Sequence, residues 1–202
     1  EPKIDPFTDE AMLDLRFLNE PQAGANGYIQ AVGDDFQLGD GTPVRFWAVN
    51  VSHGNISQSR ESIDYLARKL AKLGVNMVRF HGPIFQDYNT PERVDPQKLD
   101  NLQYLVHAMA RQGVYTKISF YFPLWFDGKQ AGLEGFDAID NTRPFGLLYF
   151  DPRMQAIYRH WLEQLLTAPS PYDDVPLGRN PAVAMVEIIN EDIDFPITGI
   201  SL

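Results

Sequence analysis

Glu191 follows the run Ala182-Val183-Ala184-Met185-Val186-Glu187-Ile188-Ile189 and is preceded directly by Asn190. A carboxyl group at the end of a buried strand lies at a rim where desolvation raises its pKa, which suits it to proton donation. The Asn190 amide can both donate to and accept from a hydroxyl group. Asn19-Glu20 repeats the dipeptide with no strand before it, so position after a buried strand carries the weight. Arg79 closes a second apolar stretch, Val75 to Val78, and is followed by Phe80 and His81. A cation there is costly unless a carboxylate pairs with it. Arg79 therefore reads either as the clamp on a reacting carboxylate or as a plain ion pair. His81 and His53 are candidates for ligands or hydrogen-bond donors, whereas His107 and His160 fall within helical patterns and read as ordinary surface or packed residues. Tyr121, Phe122, Trp125 and Phe126 cluster nearby in sequence. Aromatic faces stack on the apolar faces of pyranose rings, but such a cluster also packs well over a loop. Trp125 is the best single candidate of the four.

The elements that must position these groups follow from periodicity. Residues 1 to 27 carry several Pro and Gly and no sustained period, which predicts an irregular lead-in with at most one short helix around Glu10 to Leu18. Short strand signals separated by Gly/Asp turns predict a hairpin over residues 28 to 43, feeding a long strand from Val44 to Val51 that ends near Asn50. Ile63, Leu66, Ala67, Leu70 and Leu73 recur at helical spacing ahead of Gly74, predicting a helix over Arg60 to Leu73. Val75 to Phe80 reads as a strand. Asp95-Pro96 supplies an N-cap and a first-turn proline to a helix running to Gly113, and Asp151-Pro152 does the same for a third helix. Between them come a strand from Val114 to Tyr121 and a Gly- and aromatic-rich loop over 123 to 150. Ala182 to Ile189 has the near-continuous apolar pattern of a buried parallel strand.

The order β-α-β-α-β-α-β suits an open doubly wound sheet or a (β/α)₈ TIM barrel. No GxGxxG or GxxxxGK[ST] phosphate loop is present, which favours the barrel. A barrel of this type typically needs about 250 residues, and only four strands can be counted. The expected fold is thus the N-terminal portion of a barrel, strands one to four, occupying residues 28 to 202.

Composition narrows the partners. The 202 residues are 44% hydrophobic and 12% aromatic, enough for a real core. Lys plus Arg number 17 against 27 Asp plus Glu, a formal charge of −10, which argues against nucleic acid and against a polybasic membrane patch. Nothing approaches the roughly 18 apolar residues of a membrane span. There is no cysteine, hence no thiol nucleophile and no cysteine zinc site; its absence suits export, favouring a secreted or periplasmic location over a cytoplasmic one. No HxH or HExxH pair occurs, so neither metal nor cofactor is expected.

Three stretches taken together carry a resemblance. Val44-Arg45-Phe46-Trp47-Ala48-Val49-Asn50, Leu70 through His81 and Asn180 through Glu191 are similar, in order, to landmarks of clan A glycoside hydrolases, closest to the cellulase-like family 5 group. The resemblance runs from about Tyr28 to Phe195. It implies Glu191 as general acid/base, Asn190 as its hydroxyl-binding neighbour, Arg79 as the residue that holds the nucleophile, and His81 as a cleft residue, with a hairpin across the barrel floor. Asn50, Tyr121 and Trp125 join the expected carbohydrate-binding set.

The resemblance further implies a retaining enzyme, hydrolysing β-linked oligo- or polysaccharides by double displacement. Its nucleophile would sit on a later strand. Glu187 is expected to be a poor substitute, approaching from the same side as Glu191, and Asp192 and Asp194 are read as exposed alternatives at best. A non-catalytic carbohydrate-binding half-barrel and a metal-dependent barrel hydrolase are the competing readings. Self-association through open strand edges is expected if the chain is really this short.

Overall fold

The computed structural model describes residues 5–8, 11, 13–138 and 143–192 of the chain. Two sheets are present among the described residues. Strands β1 (Gln30–Val32), β2 (Asp35–Gln37) and β3 (Pro43–Val44) form a small antiparallel sheet in that order. Strands β4 (Ala48–Ser52), β5 (Met77–His81), β6 (Tyr115–Ser119) and β7 (Val183–Glu187) form a parallel sheet, each paired with its neighbour in sequence. Helices α1 (His53–Ile56) and α2 (Arg60–Lys72), then α3 (Pro96–Ala110), then α4 (Pro152–Thr167) make the crossovers. A doubly wound sheet reverses its strand order at a switch point. Here the order never reverses, so the sheet winds as a barrel does.

The predicted helices form for the expected local reasons. Ser59 accepts from the Ser62 amide at the start of α2, Asp95 from the Gln97 and Lys98 amides at the start of α3, and Asp151 from the Met154 amide at the start of α4. Each of the last two helices has its proline in the first turn, where no donor is missed. Their apolar stripes, including Ile63, Ala67, Leu102, Leu105, Met109, Met154 and Trp161, are buried against Val51, Val78, Phe80 and Ile118 on one face of the parallel sheet. Strand side chains alternate in direction. The other face therefore carries Asn50, Arg79, His81 and Lys117, all less buried.

Two predicted strands are shorter than expected. The stretch Val44 to Val51 splits, with Val44 ending β3 and β4 beginning at Ala48. The cause is Asn76, whose side chain accepts from the Trp47 amide at 2.7 Å and donates to the Arg45 carbonyl at 2.8 Å, replacing ladder bonds with side-chain bonds. Likewise β7 stops at Glu187 rather than Ile189, because the next carbonyl, that of Ile188, accepts from the Tyr158 hydroxyl at 2.5 Å instead of from a strand.

Among the described residues before Tyr28 there is one 3-10 helix, Arg16–Leu18, and the segment packs on the N-terminal ends of the strands. Asn19 donates to the Val75 carbonyl at 2.9 Å, Ala23 is buried and its amide bonds the Ala110 carbonyl, and Glu20 accepts from the Tyr115 hydroxyl. The repeated Asn19-Glu20 dipeptide thus ties down the base of the sheet. Phe46 packs between Phe36 and Tyr115 at centroid distances of 5.9 and 6.0 Å, placing β1 to β3 across the floor. A hollow of about 490 Å³ remains between that floor and the inner sheet face, lined in part by Phe36, Asn50, Arg79 and Met185. No helix among the described residues is long and apolar enough to cross a membrane.

Candidate active site

Register decides which side chains meet on the inner face. Asn50, Arg79 and Lys117 lie opposite one another across β4, β5 and β6, and His81 lies opposite Ser119 one step further along. Between β6 and β7 the pairing slips: Thr116 faces Val183, yet Lys117 faces Met185 and Ser119 faces Glu187. The extra residue, Ala184, reverses the facing of everything after it. Without that slip Val186 would stand opposite Ser119 and Glu187 would point to the helices.

Arg79 is the hub of what results. Its Nε and Nη2 donate to Glu187 Oε2 and Oε1 at 2.9 and 2.6 Å, and Nη2 also reaches Asn190 Oδ1 at 2.7 Å and Ser119 Oγ at 3.2 Å. Nη1 is 3.4 Å from Asn50 Oδ1. Lys117 Nζ approaches Glu187 Oε2 at 2.6 Å from the other side. Hydrogen bonding from Arg79, reinforced by Lys117 and opposed by burial, pulls the Glu187 carboxyl down to about 2. The same pairing raises the Arg79 pKa. Both side chains keep less than a fifth of their surface, 19% and 17%, so the attraction acts in a medium that screens it poorly.

Ser119 links this cluster to His81. Its hydroxyl lies 3.2 Å from Glu187 Oε1 and 2.9 Å from His81 Nδ1. A hydroxyl has one proton to give; donated to the ionised Glu187, it leaves Ser119 accepting from Nδ1–H and His81 with Nε2 as an acceptor. Burial, with the Arg79 charge, lowers the His81 pKa and favours this neutral form. The ring packs against Trp125 at 4.4 Å between centroids and against Phe122 at 5.4 Å. Trp125 is half-buried in the 3-10 helix Pro123–Trp125, directly beyond β6.

Glu191 lies in the turn after β7, exposed, with a φ of +52°. It is not sunk at a dry rim as the sequence suggested, because the strand ends four residues before it. Asn190, half-buried beside it, faces Arg79. Arg79, Asn50, Asn190, His81 and Trp125 therefore come together at one end of the sheet. Tyr121 does not join them: it is 1% exposed and packs on Tyr158 and Trp161, in the layer between sheet and helices. Its direction is a correction to the sequence reading, which placed it in the cleft. Asp192 is a second correction, since it is buried rather than exposed, with Oδ1 accepting from the Gly146 amide at 3.0 Å. Asp194 lies outside the described residues. His53 sits apart, 3.2 Å from Ser57 Oγ, and His107 pairs with Asp173 at 3.0 Å.

Sequence reasoning overlooked Lys117 and Ser119. The signal was available as spacing, because 117 and 119 repeat the two-residue interval of 79 and 81. Among the described residues no three His, Asp or Glu side chains form a metal-ligating group.

No protein-family model and no curated protein matches the sequence. Solved structures do. An endo-1,4-beta-D-mannanase from Thermotoga petrophila superposes with a TM-score of 0.55 at 16% identity, over 71% of this chain and 45% of that one. A glycoside hydrolase family 5 mannosidase from Rhizomucor miehei, in complex with mannosyl-fructose, superposes with a TM-score of 0.63 at 14% identity, over 83% of this chain and 49% of that one. At such identities the likeness shows the fold: the four parallel strands and their helices are laid out as part of a family 5 TIM barrel. The chain spans about half the length of these structures.

Proposed function

We propose that the chain is the N-terminal portion of a retaining glycoside hydrolase that acts on β-linked oligo- or polysaccharides, with Glu191 as general acid/base. One observation supports this reading above the others. On the barrel's inner face Arg79 gathers Asn50, Asn190 and Glu187 at the strand ends where barrel enzymes do their chemistry, with Trp125 and His81 forming one wall. The family 5 neighbours named above act on mannans or mannosides, which makes β-mannosidic linkages the first to test.

In this reading Glu191 protonates the departing glycosidic oxygen and later takes a proton from water. Asn190 meets a sugar hydroxyl, and its amide is oriented because Arg79 holds the carbonyl end. Trp125 offers an apolar face to a pyranose ring. The nucleophile comes from a strand beyond the four described. Retention places two carboxyl groups roughly 5 to 5.5 Å apart across the sugar, and Glu187, which shares a wall with Glu191 and is taken up by Arg79 and Lys117, does not fill that role. No cofactor enters the scheme. An acidic, cysteine-free sequence with this substrate class suits a secreted or periplasmic protein.

The test uses the full-length protein. Replacing Glu191 with Gln should lower kcat/KM by about 10²- to 10⁴-fold on manno-oligosaccharides. A dinitrophenyl glycoside, whose leaving group needs no proton, should be far less affected. Equal rates for both proteins on the oligosaccharide would overturn the assignment. The competing reading, a non-catalytic sugar-binding half-barrel, draws on β4 and β7 each pairing on one side only among the described residues. It predicts sugar binding by wild type without turnover.

A further inference from the structure

Glu191 adopts a left-handed conformation, φ +52°, that side-chain-bearing residues seldom hold. Such a conformation is strained and persists where surrounding contacts over-determine it. Contacts from three elements do so here. On one side the Tyr158 hydroxyl of α4 holds the Ile188 carbonyl at 2.5 Å, and Arg79 of β5 holds Asn190 at 2.7 Å. On the other side Asp192 accepts from the Gly146 amide at 3.0 Å. Gly146 is itself left-handed, φ +71°, and opens the 3-10 helix Leu147–Tyr149, whose Leu147 carbonyl accepts from the Asp151 amide at the cap of α4. The α4 helix and its lead-in therefore grip the Glu191 turn at both ends.

Asp192 is an expensive way to close that grip. It is 1% exposed, burial pushes its pKa up, and its Oδ2 is buried with no hydrogen-bond partner among the described residues. The nearby Tyr121 hydroxyl is buried and unpartnered among the described residues as well. A buried carboxyl with half its capacity unmet opposes folding, which argues that this residue is held for what its other oxygen does.

We propose that Asp192 is a positioning residue: its bond to Gly146 locks the left-handed turn and so sets the direction in which Glu191 presents its carboxyl group. This rests on the acid/base reading of Glu191.

The experiment compares Asp192→Ala and Asp192→Asn in the full-length protein, with Asp192→Leu replacing the alanine variant if that one does not fold. Asparagine keeps the Oδ1 acceptor, whereas alanine and leucine remove it. Loss of the latch should lower kcat/KM on manno-oligosaccharides about 10- to 100-fold, the scale of a small misplacement of a reacting group. KM should change less than about 3-fold, and kcat/KM on a dinitrophenyl glycoside should stay within about 3-fold, because that leaving group needs no acid. Asparagine should restore both within about 3-fold. Exchange of the Gly146 amide hydrogen should quicken at least about 10-fold in the alanine or leucine variant and not in the asparagine variant. Equal losses on both substrates, no loss on either, or unchanged exchange at Gly146 would overturn the proposal. If Glu191→Gln leaves the oligosaccharide rate intact, the acid/base reading fails instead, and Gly146 exchange still reports whether the latch exists.

Discussion

Arg79 and Glu187, separated by 108 positions in sequence, meet on the inner face of the sheet through two hydrogen bonds of 2.9 and 2.6 Å. The pair answers the question raised by a cation at the end of an apolar strand. Its carboxylate comes from the neighbouring part of the same wall, and Lys117 adds a second cation at 2.6 Å. Two positive charges are thus held together by one anion, with Ser119 and Asn190 completing the hydrogen bonds.

Replacing Glu187 with Gln should therefore destabilise the protein by about 3 kcal/mol, the scale for breaking a largely buried pair. Arg79 and Lys117 would then face each other without a counter-charge. Urea unfolding measures this directly, and a loss below about 1 kcal/mol would show that solvent already screens the cluster.

The same group predicts a pH dependence. The Glu187 carboxyl falls from 4.5 to about 2 on folding, so the stabilisation is fully present above the unfolded value and is lost as pH drops from about 4.5 towards 2. The shift corresponds to about 3 kcal/mol. Wild type and Glu187→Gln should differ by that amount near neutral pH and converge near pH 2 to within the direct cost of the substitution; a constant difference across the range would refute the linkage.

Trp125 and Tyr121 should separate cleanly. Trp125→Ala removes the face beside His81 and should weaken oligosaccharide binding by about 1–2 kcal/mol, read by calorimetric titration on the full-length protein. Tyr121→Phe removes a buried hydroxyl with no partner among the described residues. It should leave sugar affinity unchanged and alter stability by less than about 1 kcal/mol.

At the base of the sheet, Gly113 has a φ of +70°, and a Cβ there would stand 2.0 Å from the Glu20 carbonyl oxygen. Gly113→Ala should cost more than about 1 kcal/mol and should speed proteolysis within residues 13 to 27. A variant as stable and as resistant as wild type would mean that the segment docks without this close approach.

Much of the architecture was legible in the sequence because its determinants are local. Asp95-Pro96 and Asp151-Pro152 cap helices where they stand, Gly74 and Gly113 end helices in left-handed turns, and apolar spacing distinguishes helix from strand over a few residues. Asn76 and Tyr158 were not legible in the same way. Each trims a strand by bonding to backbone far from its own position, 29 to 31 residues away for Asn76 and 30 for Tyr158.

The sequence by itself determined the element order, the absence of a phosphate loop and the candidates Glu191, Asn190 and Arg79, since these depend on residue type and short-range period. Only the tertiary structure decided which of them meet. A one-residue slip between Thr116 and Lys117 turned Glu187 inward to Arg79; in a strand the side-chain period is two, so a single extra residue exchanges one face for the other. Tyr121 was drawn into the layer between sheet and helices, and Asp192 into a buried place beside Gly146, for a related reason. The end of a strand does not itself specify a side, and packing against Tyr158 and bonding to Gly146 did.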